Sequence, residues 1–161
     1  MPTANEMIVV SLTTAKMMAR RFTEDFQPGE YLHRPAAKAN CAAWLLGHLT
    51  LTNRRTASLF HADLPALPDG FEQRFARDET APGASEFGDC GSLLPLLEQS
   101  FDALIAVVRT ASPEQLDTAV ARPTPMYKTL GTLANFMALH ALVHIGQITT
   151  IRRSLGRPPL I

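Results

Sequence analysis

Apolar residues recur at three- and four-residue steps in four long stretches of this chain, and nowhere do apolar and polar residues alternate convincingly over several positions. A period near 3.6 gathers such residues on one face of a helix, whereas a half-buried strand needs a period of 2. The first stretch runs from about Asn5 to Phe26, with Ala15, Met18, Ala19, Phe22 and Phe26 in step. Thr3 and Glu6 ahead of it have capping-box spacing, and Gln27-Pro28-Gly29 ends it. The second begins near Asn40, a good N-cap, and continues to about Phe60. Its stripe is Cys41, Trp44, Leu45, His48, Leu51 or Thr52, Arg55 and Leu59. The third covers Ser92 to Thr110, with Pro95 in its first turn and a broad apolar face of Leu93, Leu94, Leu97, Phe101, Leu104, Ile105 and Val108. Ser112-Pro113-Glu114-Gln115 is another capping box and predicts a short helical piece, ended by Pro123 and Pro125. The fourth helix opens near Thr129 and reaches about Leu155, before Gly156 and Pro158-Pro159. Four long amphipathic helices in 161 residues predict one all-α domain, residues 1–161, folded as a four-helix bundle.

Between the second and third helices, from Ala62 to Gly91, the periodicity collapses. Pro65, Pro68, Gly70, Pro82, Gly83, Gly88 and Gly91 break any long element there, and Phe71 to Phe75 is long enough for one short helical turn. A connection of this length is either a functional lid or a crossover that spans the bundle.

Charge excludes one class of function. Fifteen basic residues balance fifteen acidic ones, and the pairs Arg20-Arg21, Arg54-Arg55 and Arg152-Arg153 form no basic stripe, so no nucleic-acid partner is expected. No apolar run approaches the roughly 18 residues of a membrane span, and Met1 to Val10 lacks the pattern of a signal peptide. Cys41 and Cys90 are too few for a disulfide framework and fit a reducing compartment, so a cytoplasmic location is expected.

The histidines carry the chemistry. On the fourth helix, Leu133, Phe136, Met137, His140, His144, Gln147, Ile148 and Ile151 share one face, which sets two imidazoles one turn apart in an apolar stripe. That i, i+4 spacing lets two rings share an ion, as in the HExxH helices of zinc enzymes. The intervening Ala141-Leu142-Val143 holds no glutamate, so the metalloprotease general base is missing. His48 lies on the apolar stripe of its own helix beside Trp44. Three imidazoles on apolar faces are either core residues bonded to nearby groups or ligands of one common ion. His33 and His61 fall in loops and read as surface residues.

These residues carry a resemblance. Ala43-Trp44-Leu45-Leu46-Gly47-His48-Leu49 resembles the W-x-x-G-H-L signature on the second helix of DinB-like proteins, the YfiT-like superfamily of metal-dependent proteins. Leu139 to Ile148 resembles the family's H-x-x-x-H-x-G-Q motif, and Arg152 to Pro158 its arginine-rich tail. The resemblance implies an up-down-down-up bundle with the long crossover at Ala62 to Gly91. It implies a divalent ion, nickel or zinc, on His48, His140 and His144, and a homodimer. Among related proteins are transferases of low-molecular-weight thiols and a thiol-dependent isomerase.

Three imidazoles leave a coordination position open, where an ion acidifies a thiol or a water. The leading expectation is transfer of a low-molecular-weight thiol to an electrophilic small molecule. Metal-dependent hydrolysis and a non-catalytic, stress-related dimerisation bundle are the alternatives. Gln147 either positions a ligand or a histidine, or is a polar residue satisfied between helices. Trp44, Tyr127 and Arg74 are candidates for the pocket wall. Cys41 and Cys90 could be nucleophiles, with Cys41 read more readily as a small buried residue on the Trp44 stripe.

Overall fold

The computed structural model describes residues 1–76, 87–158 and 160. The crossover breakers Pro82 and Gly83 and the terminator Pro159 lie outside the described residues. Among the described residues the α-helices are α1 (Ala4–Thr23), α2 (Ala42–Leu59), the short α3 (Phe71–Phe75), α4 (Leu93–Thr110), the short α5 (Pro113–Asp117) and α6 (Leu130–Ser154), with 3-10 turns at Pro28–Leu32 and Cys90–Ser92. Among the described residues there is no strand, only an isolated antiparallel bridge between Ala119 and Thr129 just ahead of α6.

Local chemistry sets most of the helix ends. Thr3 and Glu6 cap each other's backbone amides at α1, and Ser112 and Gln115 do the same at α5. At α6 the Thr129 hydroxyl accepts from the Thr132 amide. Two expected boundaries move. The N-cap of α2 is Cys41 rather than Asn40, and its side chain makes no capping bond: Cys41 is fully buried, so packing fixes this start. Helix α1 ends at Thr23 instead of Phe26, where the Thr23 hydroxyl bonds back to the Ala19 carbonyl at 2.7 Å. The next turn is diverted because Asp25 is held by the end of α6.

Ion pairs and hydrogen bonds fix the helix directions. Arg152 near the end of α6 donates to the Phe22 carbonyl near the end of α1, so these neighbours run parallel. Lys16 to Asp102 and Arg20 to Glu98 place α4 antiparallel to α1, while Trp44 beside His144 and His48 beside His140 place α2 antiparallel to α6, so α2 and α4 run parallel. The helices pack as a ring in which α1 meets α6 and α4, and α2 meets α4 and α6. The arrangement is up-down-down-up, and the two parallel middle helices require the long crossover. Leu12, Leu45, Leu49, Leu97, Phe101, Leu104, Ile148 and Ile151 fill the centre and are shielded from solvent.

The segment Cys90–Thr110 corrects one expectation: by length and composition alone it could cross a membrane, with a mean hydropathy of 1.3. Its apolarity serves the bundle instead, since Leu93, Leu97, Phe101, Leu104 and Val108 are buried against the other helices.

The end of α6 is latched to the α1–α2 connection. Arg152, only 3% exposed, grips Asp25 through both guanidinium nitrogens, at 2.6 and 3.1 Å. Arg157 reaches Asp25 and Glu30, and both guanidinium groups lie over the Phe26 ring. The hydrogen bond from Arg152 holds the Asp25 carboxyl below its ordinary value of 3.8. A depressed folded pKa stabilises the native state above the unfolded value, and that contribution disappears as pH falls through the folded value. The gap in melting temperature between the wild type and Asp25→Asn is therefore expected to be widest near neutrality and to narrow progressively as pH falls below about 4. Thermal melts at stepped pH check this, and a gap that does not narrow in acid would contradict it.

Candidate metal centre

Helices α2 and α6 run antiparallel side by side, so residues near the middle of each come level. This brings His48 across to His140 and His144, and one ring nitrogen of each lies within 4.8 Å of the others. The Nε2 atoms of His140 and His144 are 2.9 Å apart, and the His48 ring stands edge-on to both, with centroids at 5.3 Å. His144 is 9% exposed, while His48 and His140 are partly open to solvent. The cluster thus has a buried side against the core and an open side.

A different neighbour orients each ring. The Trp44 indole stacks on His48 with centroids 4.7 Å apart and planes within 8°. Phe136 lies nearly parallel to His140, at 5.9 Å and 16°, and Tyr127 packs against Phe136 at 5.2 Å. Gln147 Oε1 is 2.9 Å from His144 Nδ1. A carbonyl oxygen only accepts, so Nδ1 carries the proton and the lone pair of Nε2 faces the other two rings. Such an outer partner on a ligand histidine fixes its tautomer and orientation.

The expected site residues separate here. Trp44, Gln147 and, through Phe136, Tyr127 belong to the surroundings of the cluster. Arg74 is committed elsewhere: its guanidinium donates to the carbonyls of Gly70 at 3.2 Å and Asp69 at 2.5 Å, bracing its own loop. Cys41 is fully buried, and burial pushes the Cys90 thiol above its ordinary value, which leaves it a poor nucleophile. His61 is exposed as expected, but His33 is half-buried and bonded to Ser154 at 2.8 Å.

Two features beside the site were not read from the sequence. Phe136 is the wall of His140, and the signal was available: each aromatic precedes its histidine by four residues, Trp44 before His48 and Phe136 before His140. Gly47 is the other, because the Phe75 ring lies directly on the helix backbone where a side chain at position 47 would stand.

The donor set suits a divalent ion: three imidazole nitrogens converge, one with its lone pair fixed inward, and one side is open to a further ligand. Fold and cluster together define a class, a four-helix bundle with a three-histidine centre between its second and last long helices. The family model of the DinB superfamily matches residues 11–148, and the chain belongs to that superfamily. Among solved structures it is similar to YfiT from Bacillus subtilis, described as a probable metal-dependent hydrolase with an unusual four-helix bundle topology. The TM-score is 0.69 at 15% identity, over 96% of this chain and 89% of that one. It is also similar to a protein of Enterococcus faecalis, with a TM-score of 0.66 at 19% identity over 98% of this chain and the whole of the other. At these identities the likeness establishes the fold. No curated protein matches the chain in sequence.

Removing the Gln147 carboxamide tests its link to the ring beside it. Gln147→Leu is expected to weaken metal binding by about 10- to 100-fold while leaving the melting temperature of the metal-free chain nearly unchanged. Competition against a chromophoric chelator measures the first effect and a thermal melt the second.

Proposed function

We propose that His48, His140 and His144 bind one divalent ion, zinc or nickel, and that the chain is a metal-dependent transferase adding a low-molecular-weight thiol to an electrophilic small molecule. The observation that carries the reading is the convergence of three imidazole nitrogens beside an open face. Neutral ligands leave the ion's charge undiminished, and such an ion supplies an acidified nucleophile at neutral pH.

The chain's own residues do the rest. His144 is held by Gln147 with Nε2 inward, and Trp44 and Phe136 keep the other two rings from turning away. Phe136 beside His140, with Tyr127 packed on it, gives the cluster an apolar neighbour suited to an apolar electrophile. None of these groups needs to act as a base for a thiol, which ionises outright when it ligates a metal.

Hydrolysis is the second reading, favoured by the description of the Bacillus subtilis neighbour. The two separate in one assay. The zinc- or nickel-loaded chain is mixed with an electrophile such as 1-chloro-2,4-dinitrobenzene, and chloride release is followed with and without a small thiol. A rate that needs both ion and thiol, and that is lost in His48→Ala, supports thiol transfer. A thiol-independent, metal-dependent cleavage of ester substrates supports hydrolysis instead, and no metal-dependent reaction of either kind sinks both.

The free thiols Cys41 and Cys90 fit work in the cytoplasm. A homodimer is also proposed, since Met7, Val10 and Met17 on α1 and Leu139 and Leu142 on the neighbouring α6 expose large apolar side chains. Sedimentation velocity tests it, and a monomer at micromolar concentration would refute it.

A further inference from the structure

Ion pairs tie two of the long helices to α1: Lys16 and Arg20 reach α4, and Asp25 takes Arg152 of α6. Helix α2 takes part in none of these pairs. Its buried Leu45, Leu46, Leu49 and Leu51 pack without directional bonds, which fix the spacing of helices better than their position along one another. Three polar side chains are nevertheless buried on α2, those of Thr50, Asn53 and Thr56. The two threonines return their hydroxyls to their own helix, at 2.9 Å from the Leu46 and Thr52 carbonyls. Asn53, with no exposure at all, reaches out of it: its Nδ2 donates to Ser100 Oγ of α4 at 3.2 Å. The Ser100 hydroxyl donates in turn to the Leu97 carbonyl at 2.7 Å, so its oxygen is the acceptor.

Stability does not account for this contact. Asn53 Oδ1 is buried with no hydrogen-bond partner among the described residues, and a buried acceptor left unmatched costs free energy that a leucine of similar shape would not. What the pair supplies is direction. Sliding α2 along α4 breaks the bond and leaves the whole carboxamide unmatched in the core, so displacement along the axis is penalised. His48 lies five positions before Asn53 on the same helix, and its ring stands 5.3 Å from those of His140 and His144 on α6. Metal–ligand distances tolerate only about 0.2 Å, whereas one residue along a helix is about 1.5 Å. The sole tryptophan, Trp44, rides on α2 as well, stacked on His48 and edge-on to His144 at 6.4 Å.

We infer that Asn53, through Ser100, is a positioning residue: it sets α2 along the bundle and so holds His48 level with His140 and His144, at a cost in stability. Only the zinc measurement below rests on the metal reading. Asn53→Leu combined with Ser100→Ala removes both polar partners and is compared with the wild type in the full chain. The metal-free double variant is expected to melt at the wild-type temperature or above, because no polar atom is left stranded. It is also expected to lose intensity in the near-ultraviolet circular dichroism of Trp44 and to bind zinc about tenfold more weakly or worse. Exchanging the two residues, Asn53→Ser with Ser100→Asn, keeps a polar pair at the same level. That variant is expected to recover the Trp44 bands and to return zinc affinity to within about threefold of wild type. A double variant that melts more than about 5 °C below wild type would make the pair a stabilising contact and overturn the inference. So would a wild-type Trp44 spectrum or zinc affinity in the double variant, or an exchange that fails to recover the two. A wild-type chain that takes up no zinc would end the metal reading instead, and the melting temperatures and Trp44 spectra would still decide the placement of α2.

Discussion

Removing His144 is expected to weaken zinc or nickel binding by about 100- to 1,000-fold while the bundle stays folded. Structural zinc sites in small peptides bind with about 10–16 kcal/mol over four ligands, so one ligand accounts for roughly 3–4 kcal/mol, and a loss of that size is about 100- to 1,000-fold in affinity. The fold tolerates the change because the core does not depend on the histidines. Leu12, Leu45, Leu97, Phe101 and Ile148 fill the core with no exposure, whereas His144, at 9% exposure, lies at its edge beside the partly exposed His48 and His140. Competition titration against a chromophoric chelator measures the affinity, and circular dichroism the fold. A wild-type chain that takes up neither ion, or a His144→Ala variant with wild-type affinity, would end the metal reading and return the three rings to the role of side chains in an interhelical seam.

Gly47→Ala is expected to lower the melting temperature by about 6–12 °C. An ideal Cβ at position 47 would sit 2.2 Å from Cδ1 and 2.3 Å from Cγ of Phe75. The ring cannot swing aside easily: Phe75 is fully buried and packs between Phe71 at 4.5 Å and Phe87 at 5.6 Å. Overpacking of this kind costs typically 1–3 kcal/mol and occasionally more. At about 3 kcal/mol, a chain of this size shifts by roughly 2–4 °C per kcal/mol. The sign is diagnostic, because alanine is about 1 kcal/mol better than glycine inside an unencumbered helix. Gly146→Ala on α6 supplies the contrast: nothing lies within 4 Å of its Cβ position, so that variant is expected to hold or raise the melting temperature. If both glycine variants were equally stable, the close approach of Phe75 to α2 would be wrong. Because Gly47 precedes His48, a displaced α2 is also expected to weaken metal binding in Gly47→Ala but not in Gly146→Ala.

Much of the fold was legible because helix signals are local. The capping pairs Thr3 with Glu6 and Ser112 with Gln115, Thr129 at the start of α6, and the stripes of α4 and α6 all lie within a few residues of what they determine. The start of α2 and the end of α1 were misplaced because distant partners decide them. Cys41 is set by burial at the head of α2, and Asp25 is drawn off by Arg152, 127 residues away in sequence. The apolarity of α4, which alone suits a membrane as well as a core, is resolved only by its neighbours.

The candidate centre divides in the same way. One turn of helix fixes the pairing of His140 with His144, and the sequence placed Trp44 beside His48 and Gln147 within reach of His144. Their placement follows from the 3.6-residue repeat. Whether Gln147 meets His144 or a neighbouring helix depends on a rotamer, and the structure gives the former. Arg74 lies in the crossover, where position alone suggests the pocket wall, but its side chain takes the acceptors just ahead of its own short helix, the Gly70 and Asp69 carbonyls.

The sequence by itself determined which residues become helical, which faces are apolar, and that two imidazoles share one of those faces, since each depends on spacing along a few turns. Tertiary structure alone decided that α2 lies antiparallel to α6 with His48 level with His140 and His144, and that Phe75 fills the space above Gly47. The difference is physical: periodicity fixes directions around one helix axis, while the distance between two helices is set by everything packed between them.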